Sequence, residues 1–199
     1  MVRPRCSVFI ATSLDGFIAR PDGAIDWLSV AERPGEDYGY AAFFETVDAL
    51  VIGRKTYETV LRFETWPYAG KRCIVLTHAH PKSQHGEEFF DGLPGVLIER
   101  LAREGVRRVY VDGGNVIQQF LAAGLVTDIT LSVVPVLLGG GIRLFGPTGG
   151  DVRLDLVRSR SFESGLVQNE YWVVTPDDAG RQAVLDALKA EAEKSGLGY

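Results

Sequence analysis

Arg54, Lys55 and Thr56 follow Gly53 at the end of the apolar run Ala49-Leu-Val-Ile52. Two cations and a hydroxyl placed where a strand turns into a helix suit an anion. The first backbone N–H groups of a helix have no partner and carry the positive end of its dipole. Arg54 adds a planar fork that matches a phosphate, and Thr56 adds a hydroxyl donor. Taken alone, the octapeptide Val51-Ile-Gly-Arg-Lys-Thr-Tyr-Glu58 reads equally well as a solvated basic corner. A second corner, Val109-Tyr-Val-Asp-Gly-Gly-Asn115, has the same strand, turn and helix pattern. Gly113 and Gly114 lack a Cβ, so a ligand can approach the backbone closely, and Asn115 can start the helix. It is not a dinucleotide fingerprint of the G-x-G-x-x-G kind, because the third glycine is missing. Thr77, after Cys73-Ile-Val-Leu76, ends a third apolar run. In open α/β sheets ligands bind beyond the carboxyl ends of strands, so three such ends fit a long ligand with several phosphates, such as a dinucleotide.

The elements that must position these corners can be read from periodicity. Runs rich in β-branched residues predict strands at 6–12, 48–53, 71–77, 107–112, 127–136, 152–162 and 167–175. Helical patterns predict helices at 38–47, 54–63, 96–104 and 115–123. Strands alternate with helices up to residue 123 and then follow one another directly. This predicts an α/β fold with a mixed, mainly parallel central sheet and antiparallel additions at one edge. Gly139-Gly-Gly141 and Gly146-Pro-Thr-Gly-Gly150 punctuate the second half as loops. An acid-started, alanine-rich helix is predicted after Pro176, so the chain divides into a main domain over 1–177 and a helical extension over 178–199.

With 199 residues the chain suits one well-packed domain, and its net charge of −5 supplies no basic excess for a nucleic-acid partner. No run approaches the ~20 apolar residues of a membrane span, and no apolar signal core follows the first basic residues, so a cytoplasmic protein is expected. Cys6 and Cys73 lie in apolar strand segments and read as small hydrophobes, without metal-ligand spacing. His78, His80 and His85 are followed by Glu87, Glu88 and Asp91, and the stretch reads as a flexible surface loop in preference to a metal site.

Four segments together resemble the dihydrofolate reductase-like superfamily: Ser13-Leu-Asp-Gly-Phe-Ile-Ala19, Gly53-Arg-Lys-Thr-Tyr-Glu58, Val111-Asp-Gly-Gly-Asn115 and Val134-Pro-Val-Leu-Leu-Gly-Gly-Gly-Ile-Arg-Leu-Phe145. The resemblance is strongest to stand-alone relatives of the riboflavin-biosynthesis reductase domain and spans about residues 5–175. It implies the three-layer dihydrofolate reductase-like fold, NADPH as cofactor, a small-molecule substrate and a homodimer. By position, Arg54 would meet the 2′-phosphate with Lys55 nearby, and Thr56 the pyrophosphate. Thr77 and His78 would flank the adenosine phosphate end. Gly113, Gly114, Asn115 and Val116 would cradle the pyrophosphate, with Gly53 at the neighbouring turn. Ala11, Ile18 and Ala19 would line the nicotinamide.

The resemblance also marks Asp37 as the acid that holds substrate and takes part in proton delivery, and Trp27 as an aromatic beside it. From residue type alone Asp37 is equally a helix cap and Trp27 equally a loop anchor. Asp15 reads as a turn former with Gly16, not as a catalytic group. Arg20, Lys71 and Arg143 are candidates for a ribose-phosphate grip by charge alone. The chain lacks the Pro-Cys-x-x-Cys motif that a zinc deaminase needs together with its His-x-Glu. The expected activity is NADPH-dependent reduction of a nitrogen-rich molecule, foremost 5-amino-6-(5-phosphoribosylamino)uracil. Dihydrofolate reduction and a non-catalytic NADPH-binding module are the alternatives. A dimer contact is expected through an antiparallel edge near 126–136, whose apolar run Val133-Val-Pro-Val-Leu-Leu138 otherwise reads as a buried interior strand.

Overall fold

In the computed structural model, which describes residues 2–79 and 81–174, the apolar runs become one eight-stranded sheet with helices on both faces. Its strands in chain order are β1 (Arg5–Ser13), β3 (Ala49–Gly53), β4 (Arg72–Leu76), β5 (Glu88–Phe90), β6 (Arg108–Asp112), β7 (Val126–Val134), β9 (Leu154–Ser161) and β10 (Val167–Val173). In space they run β5-β4-β3-β6-β1-β7-β10-β9, and β2 (Phe17–Ala19) pairs separately with β8 (Ile142–Arg143). All pairs from β5 through β7 are parallel, whereas β10 lies antiparallel to both β7 and β9. The change falls where the helical periodicity stops, because a parallel return needs a crossover and an antiparallel one needs only a turn.

The core lies on both sides of the sheet, as the period of two demands. Ala49, Val51, Val109 and Val111 face α3 (Pro94–Arg103) and α4 (Gly114–Ala122) through Leu97, Leu101, Ile117 and Phe120. Leu50, Ile52 and Tyr110 point the other way, toward Phe43 of α1 (Tyr40–Glu45) and Tyr57 and Val60 of α2 (Arg54–Val60). β3 and the interior of β6 are thus apolar on both faces, which is why they read as continuous runs.

Several expectations change. The 126–136 segment is not an edge: β7 sits between β1 and β10, and Val134 is buried. Helix α1 begins two residues late because Tyr38 and Gly39 both have positive φ. Helix α2 stops at Val60, where Arg62 and Phe63 close tight turns onto Thr59 and Val60. The stretch after His85 is no flexible loop. Glu88–Phe90 is a strand, and buried Glu87 accepts the Tyr57 hydroxyl and the N–H groups of Gln84 and His85. Neither the β2–β8 pair nor the short 3-10 helix Asp26–Val30 was expected, being too short to carry a periodic signal. The predicted helix at 178–194 lies outside the described residues.

Candidate functional site

Parallel pairing brings the three corners together. Gly53 lies in register with Leu76, and Ile52 with Asp112, so the residues after β3, β4 and β6 emerge side by side on one edge. A cleft of about 1440 Å³ opens there, and its lining includes all thirteen residues assigned above to the dinucleotide. Gly53, Arg54, Lys55 and Thr56, then Thr77 and His78, and Gly113, Gly114, Asn115 and Val116 all contribute to the lining, with Gly113 beside Thr56. Ala11, Ile18 and Ala19 complete it, Ile18 lying against Gly114. Asn115 does not start α4 but lies inside its first turn, where its Oδ1 accepts from Gln119.

The glycines are required sterically. Gly113 has φ +92°, and a Cβ there would collide with Thr56 Oγ1. A Cβ on Gly114 would lie 2.9 Å from the Arg143 carbonyl oxygen and 3.0 Å from Ile18. The two corners are therefore packed against each other at Gly113, and the second is packed against Ile18 and Arg143 at Gly114. Helix α4 starts at Gly114 with no side-chain cap, which leaves its first N–H groups facing the cleft. Arg54 and Lys55 are exposed, and Arg54 reaches Glu58 at only 3.6 Å, a surface pair of little strength. A phosphate could take that guanidinium without a large penalty.

Beyond the cofactor-like half, the cleft continues over Phe9, Leu28, Val60, Phe63, Tyr68 and Tyr110 to Asp112. Asp112 is the last residue of β6, and burial pushes its carboxyl up to about 6, against the lowering effect of the Gly113 N–H and the Tyr68 hydroxyl. The Tyr68 hydroxyl stands 3.5 Å from Asp112 Oδ2, the limit of a hydrogen bond. Tyr110 donates to the Phe9 carbonyl at 3.0 Å, so its ring is held beside the acid. Burial raises the Tyr40 phenol to about 12, with the Asp112 charge adding to it. An acid with a raised pKa at the floor of an aromatic slot can hold and transfer a proton near neutrality.

Residue type alone gives Asp112 no role in the second corner. Its signal was available: an acid closing the apolar strand Val109-Tyr-Val111 immediately before a glycine turn. Tyr68 carried no such signal, since only the packing of the 61–71 connection brings it to β6.

Asp37 and Trp27 do not join the cleft lining. Asp37 is exposed and accepts the N–H of Gly39 at 2.8 Å and of Ala41 at 2.9 Å. These bonds, led by that of Ala41, hold its carboxyl below the usual range, so the helix-capping reading is the one the geometry favours. Trp27 is 2% exposed and packs with Ala31, Val134 and Leu166; its neighbour Leu28 lines the cleft instead. Arg20 is engaged by Asp26, and Lys71 donates to the carbonyls of Glu45 and Val47, away from the cleft. Arg143 does line it, lying over the Phe17 ring.

This arrangement matches known proteins. The RibD C-terminal domain family model matches residues 69–168. The uncharacterized protein YwjB of Bacillus subtilis is 36% identical over 159 residues, covering 78% of this chain and 90% of that protein. The solved structure of a putative riboflavin biosynthesis protein from Shewanella sp. PV-4 superposes with a TM-score of 0.81 at 36% identity, covering 86% of this chain and 99% of that one. Dihydrofolate reductase HdrB of Haloferax volcanii is 33% identical over 125 residues, covering 60% of this chain and 62% of that protein. The chain belongs to the RibD C-terminal domain family, a family of reductases with the dihydrofolate reductase-like fold.

Proposed function

We propose that this protein is an NADPH-dependent reductase of a planar, nitrogen-rich small molecule, foremost 5-amino-6-(5-phosphoribosylamino)uracil. The observation that carries the reading is the continuity of one cleft from the glycine corners at Gly53 and Gly113 to the half-buried acid Asp112, whose carboxyl is raised. The residues fit the dinucleotide, because the Gly113-Gly114 turn, which has no room for a side chain, borders unpaired helix-start N–H groups, and two exposed cations stand at the neighbouring corner. Gly113, Gly114, Asn115 and Thr56 would hold the pyrophosphate, Arg54, Lys55 and His78 the 2′-phosphate end, and Ile18 and Ala19 the nicotinamide. When bound, NADPH supplies hydride. Asp112 supplies the proton that the reduced substrate must take up, with the Tyr68 hydroxyl 3.5 Å from its carboxylate. Arg143 and Arg62, both at the cleft, are the cations available to an acidic group of the substrate.

Calorimetric titration with NADPH and NADH, followed by NADPH oxidation with the aminopyrimidine, tests this. Tight NADPH binding with turnover is expected; no binding of either dinucleotide would end the reductase reading. A second reading, dihydrofolate reduction, is favoured by the 33% identity to HdrB and is separated by the same assay with dihydrofolate. The protein is taken to work as a cytoplasmic homodimer. Among the described residues no helix is long and apolar enough to cross a membrane.

A further inference from the structure

The turn after β1 carries an acid that does not line the cleft. Asp15 accepts the Ser13 hydroxyl at 2.6 Å and the backbone N–H groups of Leu138 at 3.1 Å and Gly139 at 2.7 Å. Those two N–H groups belong to the connection between β7 and β8, remote in sequence from Asp15. Ser13 Oγ in turn accepts the Phe17 N–H at 3.0 Å, and Leu14 N–H donates to the Val136 carbonyl at 2.8 Å. The Ser13 hydroxyl, ahead of the two N–H groups, holds the Asp15 carboxyl down to about 2. It is therefore a carboxylate, the strong form of this acceptor, at any pH where the protein would work.

From this clasp the chain runs directly into β2 on one side and β8 on the other. Their pairing is only two or three residues long and would have little stability alone. Gly139 and Gly141, with φ +71° and +147°, give the approach to β8 more backbone freedom than any other residue type would. Yet the tolerances are small. Gly141 fits against the Ala19 carbonyl only because it has no side chain, and Ile18 with the Arg143 carbonyl presses on Gly114. Leu144 N–H closes the unit by donating to the Gly16 carbonyl at 3.1 Å.

We infer that Asp15 is a positioning residue: by pinning the Leu138–Gly139 backbone to the turn after β1, it holds the Ile18–Ala19 wall of the cleft at binding distance from Gly114. The consequence for affinity rests on the reading of the cleft as a dinucleotide site; the effect on the wall does not.

The test uses full-length protein and its Asp15→Ala and Asp15→Asn forms. Amide hydrogen exchange is measured without cofactor, NADPH affinity by calorimetry, and unfolding by a thermal melt. In Asp15→Ala, exchange at residues 17–19 and 142–144 is expected to rise at least tenfold, while β3 and β6 stay protected. NADPH affinity should fall about tenfold or more, with Asp15→Asn intermediate because one acceptor oxygen remains. If Asp15→Ala does not fold, Asp15→Asn is read on the same scale. Unchanged exchange at 17–19, or faster exchange throughout the central strands, would overturn the inference. So would unchanged NADPH affinity in a protein whose parent binds NADPH. Should the parent bind no NADPH, the reductase reading falls, and the exchange pattern alone decides the role of Asp15.

Discussion

Replacing Asp112 with asparagine is expected to stabilise the protein above pH 6 and to remove most of its reductase activity. Burial raises this carboxyl from 3.8 to about 6. About two units correspond to roughly 3 kcal/mol, the free energy by which the ionised side chain disfavours the native state. The folded protein keeps this proton until about pH 6, whereas the unfolded chain releases it near pH 4. Stability is therefore lost as pH rises through that window and stays low above it. Asparagine has nearly the same shape, keeps an oxygen for the Gly113 N–H, and never ionises. A gain of about 1–3 kcal/mol at pH 8 remains after an imperfect hydrogen bond to Tyr68 is allowed for. At about 2–4 °C per kcal/mol for a domain of this size, Tm should rise by several degrees. Below pH 4 both side chains are neutral and the difference should close. The same variant should lose about 10²–10⁴ in kcat, the usual contribution of a positioned acid, with NADPH binding retained. Thermal melts from pH 4 to 8 alongside NADPH oxidation provide the readout. An asparagine form no more stable than its parent at pH 8, or one that keeps full turnover, would refute the reasoning.

Other outcomes follow from the same geometry. In the parent protein, kcat/KM should decline as pH rises through about 6, because the protonated acid is the active form; a flat profile across that range would count against Asp112. Arg54→Ala should cost about 1.5–3 kcal/mol of NADPH affinity and leave NADH nearly unchanged, as the loss of one charge-assisted contact requires. Equal losses for both dinucleotides by calorimetry would refute that role. Gly113→Ala forces a Cβ onto Thr56 at φ +92°, so Tm should fall and NADPH binding should be lost together. Asp37→Asn should lower Tm slightly through a weaker cap while kcat is unaffected; a collapse of kcat would return Asp37 to the chemistry.

What the sequence determined by itself was whatever depends on neighbours along the chain. The apolar runs of β3, β4 and β6 announced buried parallel strands, and the residues that end them, Gly53-Arg-Lys-Thr56, Thr77 and Gly113-Gly-Asn115, announced corners that would share a cleft. All three lie in one cleft because parallel strands necessarily present their carboxyl ends on the same edge. Asp37 and Trp27, each open to two readings in the sequence, lie outside the cleft lining for a complementary reason. Whether an acid caps a helix or an indole faces a cleft depends on a few ångströms of loop path, which residue type does not encode. Only tertiary packing could make Asp112, the end of a strand, an acid with a raised pKa and so the proposed proton donor. Its raised pKa comes from burial among side chains delivered by separate elements, Tyr68 from the connection before β4 and Tyr110 from its own strand. The same holds for Asp15, whose carboxylate meets the Leu138 and Gly139 N–H groups only because β1 and β7 pair in register and bring their following turns together.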